Sequence, residues 1–212
     1  MKNTYGLPPI KIASDVIIDN SEMYFYQYLP VRLSGKGSAI LLPNQLERLR
    51  TIVNKACEDF IKEFGADKYY LQNIYLTAKC LYTPTGSNIN RPGWHSDGFM
   101  TDDINYIWSD SLPTEYITGN FQLIQDHEIS LYEMNHLIYD QKLKCQSNCI
   151  YRLNQSVIHR PQININNPFV RHFVKISFSK EQYNLKGNAH NYLLDYNWEM
   201  KDRSLERNHP IK

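Results

Sequence analysis

His95-Ser96-Asp97 is the segment of this chain best suited to chemistry. On an extended strand, residues two apart point to the same face, so an imidazole nitrogen and a carboxylate oxygen converge while Ser96 turns away. Two ligands do not hold a metal ion in water, so a third is required, and His127, His136, His159, His172, His190 and His209 are the candidates. His159 is preferred because it ends an apolar, strand-like run, Ser156-Val157-Ile158-His159, which a hairpin can return beside the first pair. Two neutral imidazoles and one carboxylate on one face of an octahedron leave three positions open. His172 is the rival, but in a regular strand it faces away from Arg171 and Lys175. His127 sits in a polar segment, and His136, His190 and His209 have no neighbouring ligand pattern.

Gly93-Trp94-His95-Ser96-Asp97-Gly98-Phe99, then His159, then the basic segment Arg171-His172-Phe173-Val174-Lys175-Ile176-Ser177 together resemble the Fe(II)/2-oxoglutarate-dependent oxygenase superfamily. Its pattern is H-x-D, a later strand His and a basic residue on the next strand, and the resemblance spans roughly Tyr75 to Ser179. It implies a double-stranded β-helix (jelly-roll, cupin-like) core, Fe(II) held by His95, Asp97 and His159, and 2-oxoglutarate as cosubstrate. Arg171 is the preferred anchor for the distal carboxylate of 2-oxoglutarate, since a guanidinium fork donates two parallel hydrogen bonds. Lys175 with Ser177 is the rival anchor, and the two share the task if both face the ligand. Tyr82 is a further candidate for hydrogen bonding to the cosubstrate. The implied activity is that of a dioxygenase releasing succinate and carbon dioxide, with hydroxylation as the default outcome. Asp97 argues against halogenation, where that position is vacated for chloride.

The same three ligands also suit zinc with an activated water, as in a hydrolase or lyase. An aromatic-rich jelly roll equally suits a non-catalytic module that binds a sugar or peptide. The loop Thr101-Asp102-Asp103 adjoins the motif, where its aspartates either meet an amine or cap the next strand.

These side chains must be positioned by a framework, and hydrophobic periodicity outlines it. Leu46, Leu49, Val53, Ala56, Phe60 and Phe64 recur at helical spacing, which predicts a helix over about 45–64 with Asn44 as N-cap and Gly65 as the stop. From Tyr69 the period becomes two, with Ile74, Leu76, Ala78, Cys80 and Tyr82 on the apolar face of a strand. Further strands are expected at 105–108, 116–124, 147–153, 155–160 and 170–179, with a turn or two of helix at 131–138. The first 40 residues read as short strands and turns. The expected class is mainly β with flanking helices (α+β), the N-terminal helix packing outside a jelly-roll core. A single domain is expected: N-terminal strands and helix over 1–68, core over 69–180, and a C-terminal extension over 181–212 whose last dozen residues are polar enough to fray.

Composition narrows the function. The 212 residues include 16 Tyr and 8 Phe, which favour strands, and 42% hydrophobic residues, enough for a folded core. Lys and Arg number 23 against 22 Asp and Glu, so no global positive field exists to hold a nucleic-acid backbone. The expected partners are 2-oxoglutarate, oxygen and a small-molecule, amino-acid or peptide substrate. No apolar run approaches the roughly 20 residues that span a bilayer, and the N-terminus lacks a secretory pattern. The four cysteines, Cys57, Cys80, Cys145 and Cys149, read as reduced thiols and point to the cytoplasm. The pair Cys145 and Cys149 lacks the second close pair of a structural zinc site.

Overall fold

The computed structural model describes residues 4–19, 22–37, 39–87, 92–139 and 141–203. The elements in chain order are β1 (Ile10–Ala13), β2 (Tyr24–Arg32), a 3-10 segment (Asn44–Leu49), α1 (Arg50–Phe64), α2 (Ala66–Tyr70), β3 (Asn73–Thr83), β4 (Ile104–Ser109), β5 (Glu115–Thr118), α3 (His127–His136), β6 (Gln141–Lys144), β7 (Ile150–Leu153), β8 (His159–Arg160) and β9 (Phe169–Ser179). The protein is mainly β. One sheet has six strands in the order β1-β7-β4-β9-β3-β2, and a second has three in the order β6-β5-β8. Every strand pair is antiparallel.

The expected N-terminal helix divides in two. Pro43, with its fixed backbone angle, opens a 3-10 turn in which Leu46 N–H donates to the Pro43 carbonyl at 2.8 Å. Pro43 therefore takes the N-cap position expected for Asn44, and no side chain caps the turn. Gly65 stops α1 as expected, with φ of 88° and its N–H donating to the Ile61 carbonyl.

The apolar face of α1, Ile52, Val53, Ala56 and Phe60, packs on Ile74, Leu76 and Ala78 of β3 and on Val174, Ile176 and Phe178 of β9. Phe60 stacks on Phe178 with ring centroids 4.3 Å apart. At the rim of this interface the Asp59 carboxylate accepts from Tyr106 Oη and from Arg152 Nη1, each at 2.8 Å. One face of the large sheet is thus covered by helix. The alternate residues, Thr77 and Lys79 of β3, Ile107 of β4 and Arg171, Phe173 and Lys175 of β9, line a cavity of about 550 Å³ on the opposite face.

Several expected elements shorten for local reasons. The strand expected at 116–124 ends at Thr118, after which Phe121 bridges to Tyr5. The one expected at 155–160 is reduced to His159–Arg160, because Val157 N–H folds back to the Asn154 carbonyl at 3.1 Å. The helix expected at 131–138 begins earlier, at His127, since the Asp126 carboxylate accepts from the N–H groups of Glu128 and Ile129. His127 therefore lies in the first turn of α3 rather than in a loop.

Residues 181–203 lie against the core. Tyr183 stacks on Tyr75 at 4.2 Å, and the buried Asn191 amide donates to the carbonyls of Pro30 and Leu41. The part of the tail from 204 onward, including His209, lies outside the described residues. No helix among the described residues is long and apolar enough to cross a membrane. No disulfide links the four cysteines, all of which are buried.

Candidate metal centre

His95 and His159 face each other across a two-residue antiparallel bridge, exchanging backbone hydrogen bonds of 3.0 and 2.9 Å. Directly opposed residues on paired strands share a face, and the two imidazole centroids lie 4.6 Å apart. Each ring is held the same way. His95 Nδ1 lies 3.0 Å from the Gly93 carbonyl and His159 Nδ1 3.1 Å from the Val157 carbonyl. A carbonyl can only accept, so each Nδ1 carries the proton and each Nε2 lone pair is left for a ligand bond.

Asp97 completes the group by a route different from a continuous strand. After the bridge at His95 the chain turns over residues 97–100, with Gly98 at φ of 71° and Thr101 N–H donating to the Gly98 carbonyl. A Cβ at Gly98 would stand 2.9 Å from Asp103 Cβ, so both the positive φ and the close approach require glycine there. The Ser96 hydroxyl turns away, as alternation demands, and donates to the Gln155 carbonyl. Asp97 Oδ2 comes within 3.6 Å of His159 Nε2.

One donor atom from each of His95, Asp97 and His159 lies within 4.8 Å of the others, the one such group among the described residues. Ligands about 2.0–2.2 Å from a shared ion stand at most about 4.4 Å apart. Binding an ion would draw these donors closer together than they stand here. From the far side, the Asn135 side chain of α3 clamps the backbone just before His95, accepting from Trp94 N–H at 2.8 Å and donating to the Trp94 carbonyl at 3.0 Å.

The electrostatics suit cation binding. Burial, reinforced by the neighbouring His159, pushes the His95 imidazole down to about 4, which keeps it neutral and its lone pair available. Burial alone would raise the Asp97 carboxyl, but the Lys175 ammonium and the His159 side chain hold it well below the usual carboxylate range. Lys175 Nζ lies 3.0 Å from Asp97 Oδ2 and 3.3 Å from Tyr28 Oη. Although burial opposes the Lys175 charge, Asp97 and Tyr28 outweigh it and raise its pKa.

Arg171 lines the same cavity and is only 3% exposed. Two backbone carbonyls hold its guanidinium, with Nε donating to Ser111 at 2.9 Å and Nη2 to Leu112 at 3.0 Å. Burial pushes it down to about 10, against the weaker pull of Asp110. Among the described residues no carboxylate reaches ion-pair distance of it.

Two sequence candidates fall outside the cavity. Tyr82 continues the helix-facing register of Ile74, Leu76 and Ala78 past the end of the core, where it is 57% exposed. Ser177 shares the face of Arg171 and Lys175 but is buried beyond the cavity, its hydroxyl donating to Asn105 Oδ1 at 2.6 Å. The remaining histidines among the described residues stand apart from the donor group. His172 lies 3.7 Å from Asp110, His136 bonds the Tyr132 carbonyl, His190 stacks on Tyr196, and His127 lines the cavity without joining the donors. Asp103 accepts from Tyr183 Oη at 2.6 Å and the Asp102 side chain is 75% exposed, so neither is presented to the cavity.

Other wall residues carry no local sequence signal. Tyr28 enters the cavity from a bulge in β2, at φ of 47°, and its ring meets Tyr183 edge-on at 5.0 Å. Tyr183, Asn184 and Asn188 come from the C-terminal extension. Thr77 and Lys79 could have been found, because they form the polar half of the β3 alternation, and here the polar half faces the cavity. Comparison of the chain with protein-family models and with curated proteins gave no match.

Proposed function

We propose that the protein is a non-haem Fe(II)/2-oxoglutarate-dependent dioxygenase that hydroxylates a small molecule, amino acid or peptide. The observation that carries this reading is one cavity holding both a His-Asp-His donor group and a buried guanidinium without a carboxylate partner among the described residues. A metal hydrolase requires only the donors. A chelating dicarboxylate uses both.

Strand pairing supports the jelly-roll form of the fold. Taken in chain order, β3, the His95 segment, β4, β5, β6, β7, β8 and β9 pair first with last, second with seventh, third with sixth and fourth with fifth. That is the order produced by winding one long antiparallel pair around a barrel. It puts the H-x-D segment beside the second histidine and the basic strand in the facing sheet.

When bound, Fe(II) with 2-oxoglutarate and oxygen supplies an oxidative decarboxylation that yields succinate, carbon dioxide and one hydroxyl on the substrate. The chain's own contributions are binding and positioning. His95 and His159 offer Nε2 lone pairs because their Nδ1 protons are committed to backbone carbonyls. Asp97, held ionised, offers the anionic ligand. Arg171, fixed by the Ser111 and Leu112 carbonyls, meets the distal carboxylate of the cosubstrate. Phe99, Ile107, Met134 and Phe173 make part of the wall apolar, which limits water around the reacting carbon.

Anaerobic titration of the protein with Fe(II) and 2-oxoglutarate tests the reading. A weak visible charge-transfer band is expected, lost in His95→Ala. Retention of a metal with no band in the iron-loaded protein favours the zinc hydrolase or lyase, and failure to retain metal favours a non-catalytic binding module.

A further inference from the structure

The Asp97 oxygen turned toward His159, Oδ2, is also the atom that accepts from Lys175 Nζ at 3.0 Å. A divalent cation bonded to that oxygen and an ammonium pressed against it are like charges a few ångström apart, with the Lys175 side chain only 11% exposed, so water screens them less than in bulk. They cannot both keep these positions at low cost. Tyr28 Oη, 3.3 Å from the same Nζ, is a second partner already in reach, and the Lys175 ammonium lies 5.1 Å from the Tyr28 ring centroid. Tyr28 is held there by a bulge with a left-handed backbone, a conformation costly for a side chain of its size.

We propose that Lys175 is a placeholder cation: it neutralises Asp97 in the metal-free protein, competes with the metal for that carboxylate, and shifts onto Tyr28 when the metal enters. The inference rests on the reading of His95, Asp97 and His159 as metal ligands, and it adds a positioning residue that sets how tightly they hold the ion. Metal-free, the centre is neutralised by a cation belonging to the chain, so the two imidazoles and the carboxylate stay together. Loading exchanges one cation for another. Tyr28 lowers the cost of the exchange by accepting the displaced ammonium.

A supporting role for Lys175 predicts the opposite. Were it only orienting the ligand carboxylate, its removal would weaken metal binding roughly 10–100-fold, as loss of an outer hydrogen-bond partner does.

The test uses the full chain and Mn(II) alone, without cosubstrate, with free Mn(II) read by electron paramagnetic resonance. Lys175→Met is expected to bind Mn(II) at least about tenfold more tightly than the wild type, the scale of coupling between close charges. Lys175→Gln, which keeps a polar contact without the charge, is expected to shift the same way. Tyr28→Phe, which keeps the lysine but removes its alternative partner, is expected to bind Mn(II) more weakly. Circular dichroism of each variant establishes that it is folded. Equal or weaker binding in the folded lysine variants overturns the placeholder role, as does unchanged or tighter binding in Tyr28→Phe, an arm that stands even if both lysine variants fail to fold. Absence of Mn(II) binding in wild type and variants alike defeats the metal reading itself, and this inference with it.

Discussion

Arg171 and Lys175 stand on one face of one strand, roughly 13 Å apart along it, yet their surroundings assign them different work. Lys175 is committed to Asp97 and Tyr28, whereas among the described residues the Arg171 guanidinium donates to two backbone carbonyls and lies 5.2 Å from the Phe173 ring centroid, with no carboxylate at ion-pair distance. Arg171→Gln is therefore expected to weaken 2-oxoglutarate binding about tenfold or more, the value of a charge-assisted hydrogen bond, with little change in Mn(II) affinity. Isothermal titration calorimetry with each ligand separates the two effects. Ser177→Ala should behave in the opposite sense. It leaves the buried Asn105 Oδ1 without its 2.6 Å donor and should cost about 1–3 kcal/mol of stability in urea unfolding, with unchanged cosubstrate affinity in the folded protein. Tyr82→Ala, out on the exposed end of β3, is expected to leave cosubstrate binding as it was.

At the scale of elements, the two faces of the large sheet divide the helix-covered core from the cavity that holds the donor group. Phe60→Ala on α1 removes a ring stacked on Phe178 and should cost about 3–5 kcal/mol, while metal affinity is retained at temperatures where the variant is folded. α3 is different, because Asn135 ties it to Trp94 beside His95. Asp126→Ala removes the N-cap and should cost about 0.5–2 kcal/mol. Hydrogen exchange is expected to quicken across 127–136, and metal affinity is expected to fall as the clamp loosens. Equal exchange in variant and wild type would show that the cap does not hold this helix.

The whole molecule buries its four cysteines without linking them. Burial pushes the Cys57 thiol up to about 11 and the Cys145 thiol up to about 12, from 9.0 for a free thiol. Native protein at pH 8 should therefore react with a thiol reagent only after unfolding. The sign of the linked stability follows from the same shifts: these thiols prefer to stay protonated in the fold, so their contribution is full below pH 9. It is lost as the pH rises from about 9 toward 11–12, where the unfolded chain ionises first. The melting temperature should fall over that interval, and a flat profile would show that the thiols are accessible to solvent.

Periodicity and local spacing determined the mainly β class, the helix ending at Gly65, the long strands β3 and β9, and the nomination of His95, Asp97 and His159. The elements rest on interactions between residues near in sequence, where alternation and helical repeats are set by backbone geometry, and the nomination rests on residue type and on the strand-like runs that carry the three side chains. Only the tertiary structure decided that β8 brings His159 opposite His95, that a turn at Gly98 aims Asp97, and that Tyr28 and the extension from Gln182 wall the cavity. It also divided Lys175 from Arg171 and left Tyr82 and Ser177 beyond the cavity. These outcomes depend on which strand lies beside which, a matter of contacts between segments far apart in the chain, and no local pattern of residues encodes which distant partner a side chain will meet.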